Sequence, residues 1–510
     1  MKPLSPVALL ACVLAWHGDA TAGPRAAGVP VVHTSSGAVA GVDGAVRVFK
    51  GIPYAAPPLG MLRWRAPQPP QPWSGVRDAS HFSDDCMQVP YVIPTGQQAS
   101  EDCLTLSVWT PEHDGGPNRP VLVYLYGGGF IGGSVAYPLY DATKLASHGV
   151  VVVSVSYRVG IFGFLAHPQL TAESPHHASG NYGLLDQIAA LKWVQQNIAA
   201  FGGDPARVTV FGESAGAVSI AMLMTSPLAR GLFARGALFS PDVMRLATLA
   251  EAEQSGAQLA PELARLRAMS AAELVKHNLD FFPQPRHKLT AMSFPAPIVD
   301  GYVLPVQPRD PFTSGTMRPL PLLLGTAANE GRMFSEPHSV AAYQEWLHGA
   351  FGPLADNLQR LSPAADDAAA TTAAAAVLGD AMFGESARLI ARGIAAHPTQ
   401  IFVYLFSRSA GGAPQPATHS EVLPYLFGTL DQPSFLKHLP ADAADLRLSA
   451  SLQQYLAHFA ANGDPNGPGL PRWPAYERGS EPYLELGSEI RPGAAYRRAQ
   501  LDALEPFYTP

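Results

Sequence analysis

The sequence predicts an α/β fold with a mostly parallel central sheet flanked by helices, and three observations carry the prediction. Short apolar runs bounded by Gly and Pro recur along the 510 residues. Stretches with helical apolar spacing separate them, the alternation that βαβ units produce. The strand-like runs are apolar almost throughout rather than alternating, as strands covered on both faces require.

Taken in chain order, the N-terminus comes first. Lys2, an apolar run from Val7 to Trp16 and the small-x-small site Ala20-Thr21-Ala22 have the layout of a secretory signal peptide. Residues 1–22 are expected to be removed, with 23–510 forming a single domain in the periplasm or outside the cell. Leu-Leu-Ala-Cys ending at Cys12 also reads as a lipoprotein site, but the apolar run continues past Cys12 and weighs against anchoring there. No later run has the ~20 unbroken apolar residues of a membrane-spanning helix. Once Cys12 leaves, Cys86 and Cys103 remain. An even pair in an exported chain favours a disulfide, two buried thiols being the alternative.

RPVLVYLYGGGF (119–130) reads as a buried strand entering a glycine loop, and GVVVVSVSYRVG (149–160) as a second, β-branched strand. LLDQIAALKWVQQNIAAFGG has apolar residues at helical spacing, with Gly202 just past its end. RVTVF, GALFS, PLPLLLGTAANEG and IFVYLFS supply later strands. From about 250 to 297 the pattern loosens, and FFPQPRHKLTAMSFPAP is proline-rich, which predicts an insertion over one end of the sheet and a candidate lid. PAADDAAATTAAAAV (363–377) reads as an ordinary surface helix without chemistry.

Composition excludes some partners. Hydrophobic residues make up 47% of the chain and charged residues 15%, and the formal net charge is −7 with no Lys/Arg cluster. That is no phosphate-tracking surface, so nucleic acid is not expected. Oligomeric state is not readable.

The chemistry centres on VTVFGESAGAVSIAML (208–223), which squeezes Ser214 between Gly212 and Gly216 at a strand-to-helix turn. G-x-S-x-G in that setting is a nucleophile elbow: the glycines permit a sharp turn and leave room around the serine hydroxyl. A serine needs a base and an orienting acid, which follow it in the order acid, then His. His419, in the polar loop PATHSEVLPYLFG, is the candidate base; His338, His348, His397, His438 and His458 lack a comparable setting. Glu330 lies just beyond a strand's C-terminal end, where open parallel sheets place their sites. Asp300 and Asp310 compete, but their Pro/Gly surroundings suit turns. Backbone N–H groups of Gly128 and Gly129, with that of Ala215, can face a developing oxyanion. YGGGF carries no G-K-[ST] and is a poor phosphate cradle. His176-His177 finds no third ligand at suitable spacing, so no metal or other cofactor is expected.

Together the motifs FKGIPYAAPPLGMLRWRAP, SEDCLTLSVW, YGGGF, SYRVGIFGFL, GNYGLLDQIAALKWVQQNIAAFGGDP, VTVFGESAGA, GTAANEG, HSEVLPYLFG and FAANGDPNGPGLPRWPAY, spread from Val31 to Tyr508, resemble the type-B carboxylesterases, the family that includes the cholinesterases. The resemblance implies an α/β-hydrolase fold and hydrolysis of a small-molecule carboxylic ester through an acyl-enzyme. It implies Ser214, Glu330 and His419 as the triad, and Gly128, Gly129 and Ala215 as the oxyanion hole. It also implies a Cys86–Cys103 bridge, an Arg63–Glu101 ion pair beneath that loop, and two site-tuning residues, Glu213 and Ser240.

Departures from the pattern mark this chain. Tyr126 replaces the more common histidine, as in cholinesterases. Phe239-Ser240-Pro241 replaces Gln-Ser-Gly, and Glu421 sits one place nearer the histidine than is usual. The Cys86–Cys103 loop holds no Trp to receive a quaternary ammonium, which argues against choline esters. The loop, the insertion near 280–297 and Arg332–Ser339 are candidate pocket walls. An amidase or thioesterase could use the same triad, and a non-catalytic binding protein could share the fold, but such proteins lose triad members.

Overall fold

The computed structural model describes residues 29–508 apart from 90–94, 113–117, 244, 279, 282–288, 290–296, 336–338 and 435–439. The expected signal peptide, His338, His438 and most of the 280–297 insertion therefore lie outside the described residues.

Ten strands form the central sheet: β1 (Val46–Pro53), β2 (Thr105–Pro111), β3 (Arg119–Leu125), β4 (Val151–Val155), β5 (Gly203–Glu213), β6 (Arg235–Phe239), β7 (Leu322–Ala327), β8 (Ile401–Phe406), β9 (Pro482–Leu486) and β10 (Ile490–Ala494). They run in the order β10-β9-β8-β7-β6-β5-β3-β4-β2-β1. From β4 through β9 every neighbouring pair is parallel, and the three remaining pairs toward the two edges are antiparallel. A three-stranded sheet (Val31–Thr34, Gly37–Ala40, Val76–Asp78) lies outside it.

The expected apolar runs became the parallel centre for the expected reason: every residue of Val151–Val155 is buried, as are Val121–Leu125. Helices α1 (Tyr182–Asn197) and α2 (Ala215–Thr225) continue this core. Just beneath the β5–α2 turn, the ring of Tyr124 lies 5.0 Å from Phe211 and 4.9 Å from Phe427, centroid to centroid, a rigid aromatic floor.

One expectation gains detail and one needs correction. Residues 250–278 are largely helical, with α3 (Leu249–Leu259) and a short helix at Ala271–Leu274 each opened by a capping box, Thr248 with Glu251 and Ser270 with Glu273. Those T-x-x-E and S-x-x-E spacings were readable signals, since the reciprocal bonds satisfy two orphan N–H groups at each start. Leu263, Leu266 and Leu274 join the main core. The alanine-rich segment is no surface helix. In α4 (Asp367–Gly379), Ala370, Ala373, Ala374 and Ala375 are buried. A Cβ on Gly331 would lie 2.0 Å from the Ala375 carbonyl oxygen, so residue 331 is glycine because the helix backbone passes against it.

Candidate active site

The strand order reverses direction around β3: β4 lies on one side of it and β5 on the other. Loops leaving such a switch point at the strands' C-terminal ends enclose a crevice. The loop after β3 carries Gly128 and Gly129, and the turn after β5 carries Ser214.

Ser214 has φ 55° and ψ −125°, a left-handed backbone that L-residues rarely adopt. Such strain persists where the surroundings over-determine it. Here the Ser214 N–H donates to the Phe239 carbonyl at 2.9 Å, which pins the turn to β6. The flanking glycines are required by space: a Cβ on Gly212 would sit 2.6 Å from the Leu125 oxygen, and one on Gly216 2.0 Å from the same atom.

The glycine loop lies directly against this turn. A Cβ on Gly127 would lie 2.7 Å from the Glu213 carbonyl oxygen and 3.1 Å from Ser214 Cβ. Gly128 and Gly129 have φ of 117° and 60°. Among the described residues, the N–H groups of Gly128 and Gly129 donate to no protein acceptor, and that of Ala215, the first residue of α2, has no partner within the helix. Tyr126, at the start of this loop, is fixed by Tyr157: it stacks on that ring at 4.4 Å, donates to the Tyr157 carbonyl at 2.9 Å and accepts through its own carbonyl from Tyr157 Oη at 2.7 Å.

Glu330 and His419 meet through their backbones before their side chains. The Asn329 N–H donates to the Ala417 carbonyl at 3.0 Å in a parallel bridge between Asn329 and Thr418. That bridge sets His419 Nδ1 2.5 Å from Glu330 Oε2. The other carboxylate oxygen, Oε1, accepts from Ser240 Oγ at 2.6 Å and from the Ala327 N–H at 2.5 Å. With the proton on Nδ1 held by Glu330, the ring presents Nε2 as a lone pair. Among the described residues Nε2 has no hydrogen-bond partner, although Glu213 Oε1 stands 3.2 Å away, misaligned for a hydrogen bond. Among the described residues no Ser214–His419 hydrogen bond is formed, and catalytic hydrogen bonds of this kind tighten when substrate binds.

Burial opposes charging of the imidazole, but the nearby Glu213 and Glu330 carboxylates outweigh it and raise the His419 pKa above the ordinary histidine value. Burial pushes Glu213 up to about 7, against the lowering effects of His419 and the Ser420 hydroxyl; Glu330 adds to the rise. Two rings that the sequence reading missed hold His419 in place: Phe383 stacks on it at 4.6 Å and Phe334 meets it edge-on at 5.0 Å. Phe383 sits on a π-helical turn, Asp380–Gly384, that continues α4. A π turn depends on tertiary packing and leaves no periodic signal in the sequence. Phe334 lies in the Arg332–Ser339 segment expected to form a wall.

The competitors have other tasks. Asp300 Oδ1 accepts from the N–H groups of Tyr302, Val303 and Leu304 at 2.9–3.1 Å, a local turn. Asp310 lies in the first turn of a short helix beside Arg309, His348 faces Asp356, and His397 bonds the Gly315 carbonyl. His458 packs against Gly467, and Glu421 accepts from Thr418 Oγ1 at 3.0 Å, away from the imidazole. His176 and His177 are exposed, His176 stacked on Tyr302. Among the described residues no group of three metal-ligating side chains occurs.

A disulfide joins Cys86 and Cys103, 17 residues apart. Arg63 grips Glu101 with two bonds, at 2.7 and 2.5 Å, and donates to the Met269 carbonyl at 2.9 Å, tying the bridged loop to the helical segment above.

The sequence profile described as the carboxylesterase family matches residues 28–348 and 354–504. The fumonisin B1 esterase of Sphingopyxis macrogoltabida is 43% identical over 487 residues, covering 93% of this chain and 90% of its own. The para-nitrobenzyl esterase of Bacillus subtilis (strain 168) is 35% identical, covering 90% and 95%. A solved PNB esterase structure superposes with a TM-score of 0.79 at 34% identity, covering 92% of this chain and 99% of that one. The chain therefore belongs to the carboxylesterase family: it has the α/β-hydrolase fold and is a carboxylic ester hydrolase.

Proposed function

We propose that Ser214, His419 and Glu330 carry out a two-step hydrolysis of small-molecule carboxylic esters. His419 Nε2 takes the Ser214 proton as the hydroxyl oxygen attacks the ester carbonyl. The N–H groups of Gly128, Gly129 and Ala215 hold the oxyanion, each donor contributing about 3 kcal/mol of transition-state stabilisation. His419 gives the proton to the leaving alcohol, then takes one from water, whose oxygen attacks the acyl-enzyme. Collapse releases the acid and restores Ser214. Glu330 fixes the imidazole tautomer and stabilises its charged form. Glu213 and Ser240 tune the site, the latter by holding Glu330. The observation that carries this reading is the His419–Glu330 contact at 2.5 Å, with Nε2 left free on the rim that bears the strained Ser214.

A panel of p-nitrophenyl esters of graded chain length tests it, joined by a para-nitrobenzyl ester and fumonisin B1, the compounds named in the relatives, and by matched anilides and thioesters. Esters are expected to turn over and Ser214→Ala to abolish that turnover. Full activity in Ser214→Ala would refute the assignment, and turnover of anilides or thioesters alone would make the protein an amidase or thioesterase. The signal-like N-terminus and the two-cysteine pattern further support export, with residues 23–510 as the working catalytic unit. N-terminal sequencing of exported protein is then expected to begin at Gly23.

A further inference from the structure

We propose that Ser420 is a positioning residue for the hydrolytic site, holding Glu213 ionised so that its charge stabilises the imidazolium formed when His419 Nε2 takes the Ser214 proton. The inference rests on the catalytic reading above and deepens it. Ser420 is buried, and its Oγ donates to Glu213 Oε1 at 2.8 Å. That same oxygen stands 3.2 Å from His419 Nε2. An ionised carboxylate can only accept, so it leaves the Nε2 lone pair free and stabilises the imidazolium formed during the reaction. A protonated one is neutral and withdraws that stabilisation.

Two features make the hydroxyl more than a neighbour. Ser420 has φ 71°, a left-handed conformation that glycine would adopt without strain, yet a side chain is present and it reaches Glu213. Every other charged influence leaves Glu213 dependent on that donor. Glu330 raises its pKa, while His419 lowers it only when protonated; from the sheet, the hydroxyls of Tyr124 and Tyr404 feel Glu213 as a negative charge. Burial favours the neutral acid.

The sign of the pH effect follows. The active form has Glu213 ionised and His419 neutral. Removing the hydroxyl raises the proton affinity of Glu213 but leaves that of His419 beside an ionised Glu213 unchanged. The pair therefore takes up its first proton at higher pH, and the acid limb of kcat/KM moves upward.

The test compares Ser420→Gly and Ser420→Ala with the wild-type chain, and with Ser214→Ala, from pH 5 to 10. Glycine removes the hydroxyl and relieves the backbone, whereas alanine removes the hydroxyl alone. Both are expected to raise the acid limb by about one pH unit, the loss of one hydrogen bond to a carboxylate, and to regain the wild-type rate on the alkaline plateau. An acid limb that stays in place or falls in Ser420→Gly overturns the proposal, as does a shift in Ser420→Ala alone, which would make the position a backbone requirement. Activity in Ser214→Ala would overturn the catalytic reading instead, so the two failures are distinct.

Discussion

Replacing His419 with alanine is expected to lower kcat for ester hydrolysis by about 10⁴- to 10⁶-fold. Among the described residues the neighbouring carboxylates have other tasks: Glu330 accepts from the Ala327 N–H, Ser240 Oγ and the imidazole, and Glu213 Oε1 accepts from Ser420. The effects of nucleophile and base do not add, because each is useless without the other. Adding Ser214→Ala to His419→Ala should therefore cost almost nothing more. Deleting the ring leaves a gap between Phe383 and Phe334, so thermal unfolding is measured alongside to show that the variant still folds. A loss below tenfold in a folded His419→Ala protein would mean that another group is the base.

Gly216→Ala is expected to destabilise the protein by about 3 kcal/mol or more and to misplace the glycine loop. Its Cβ would lie 2.0 Å from the Leu125 oxygen, 2.9 Å from the Leu125 carbonyl carbon and 3.1 Å from the Tyr126 oxygen. These are backbone atoms at the end of β3, where the loop bearing Gly128 begins, so they cannot rotate aside. The control is the same change at Gly349 in the helix Val340–Phe351, where a Cβ meets nothing within 4 Å. There alanine should stabilise by about 0.5–1 kcal/mol, through helix propensity and reduced freedom of the unfolded chain. Urea midpoints of the two variants, moving in opposite directions, check the argument; equal midpoints would show that the Gly216 contact relaxes without cost.

The parallel centre of the sheet was legible because strands covered on both faces must be apolar throughout, and Val121–Leu125 and Val151–Val155 are. Ser214 was legible because its turn imposes a local demand, two glycines against β3. Asp300 could be set aside from its sequence surroundings because its task, accepting three N–H groups from residues just ahead, is itself local. What escaped depends on a partner distant in the chain. The helix 367–379 is buried because the turn at Gly331 packs closely against its backbone, and nothing within the segment announces that. Phe383 reaches His419 only through the π turn. Ser420 differs again: it stood in the quoted motif, but its left-handed backbone and its bond to Glu213 exist only once the loops have met. The capping boxes at Thr248 and Ser270 were a readable signal that went unread because proline-rich sequence lay just beyond them.

The most direct test of the central claim is covalent. An alkyl p-nitrophenyl phosphonate should phosphonylate the protein once, releasing one equivalent of p-nitrophenol, with the added mass confined to the peptide containing Ser214. Ser214→Ala should take up none, and His419→Ala should react only very slowly. An adduct on a different residue, or an unmodified Ser214 in a protein whose esterase activity has been fully lost to the reagent, would contradict the account.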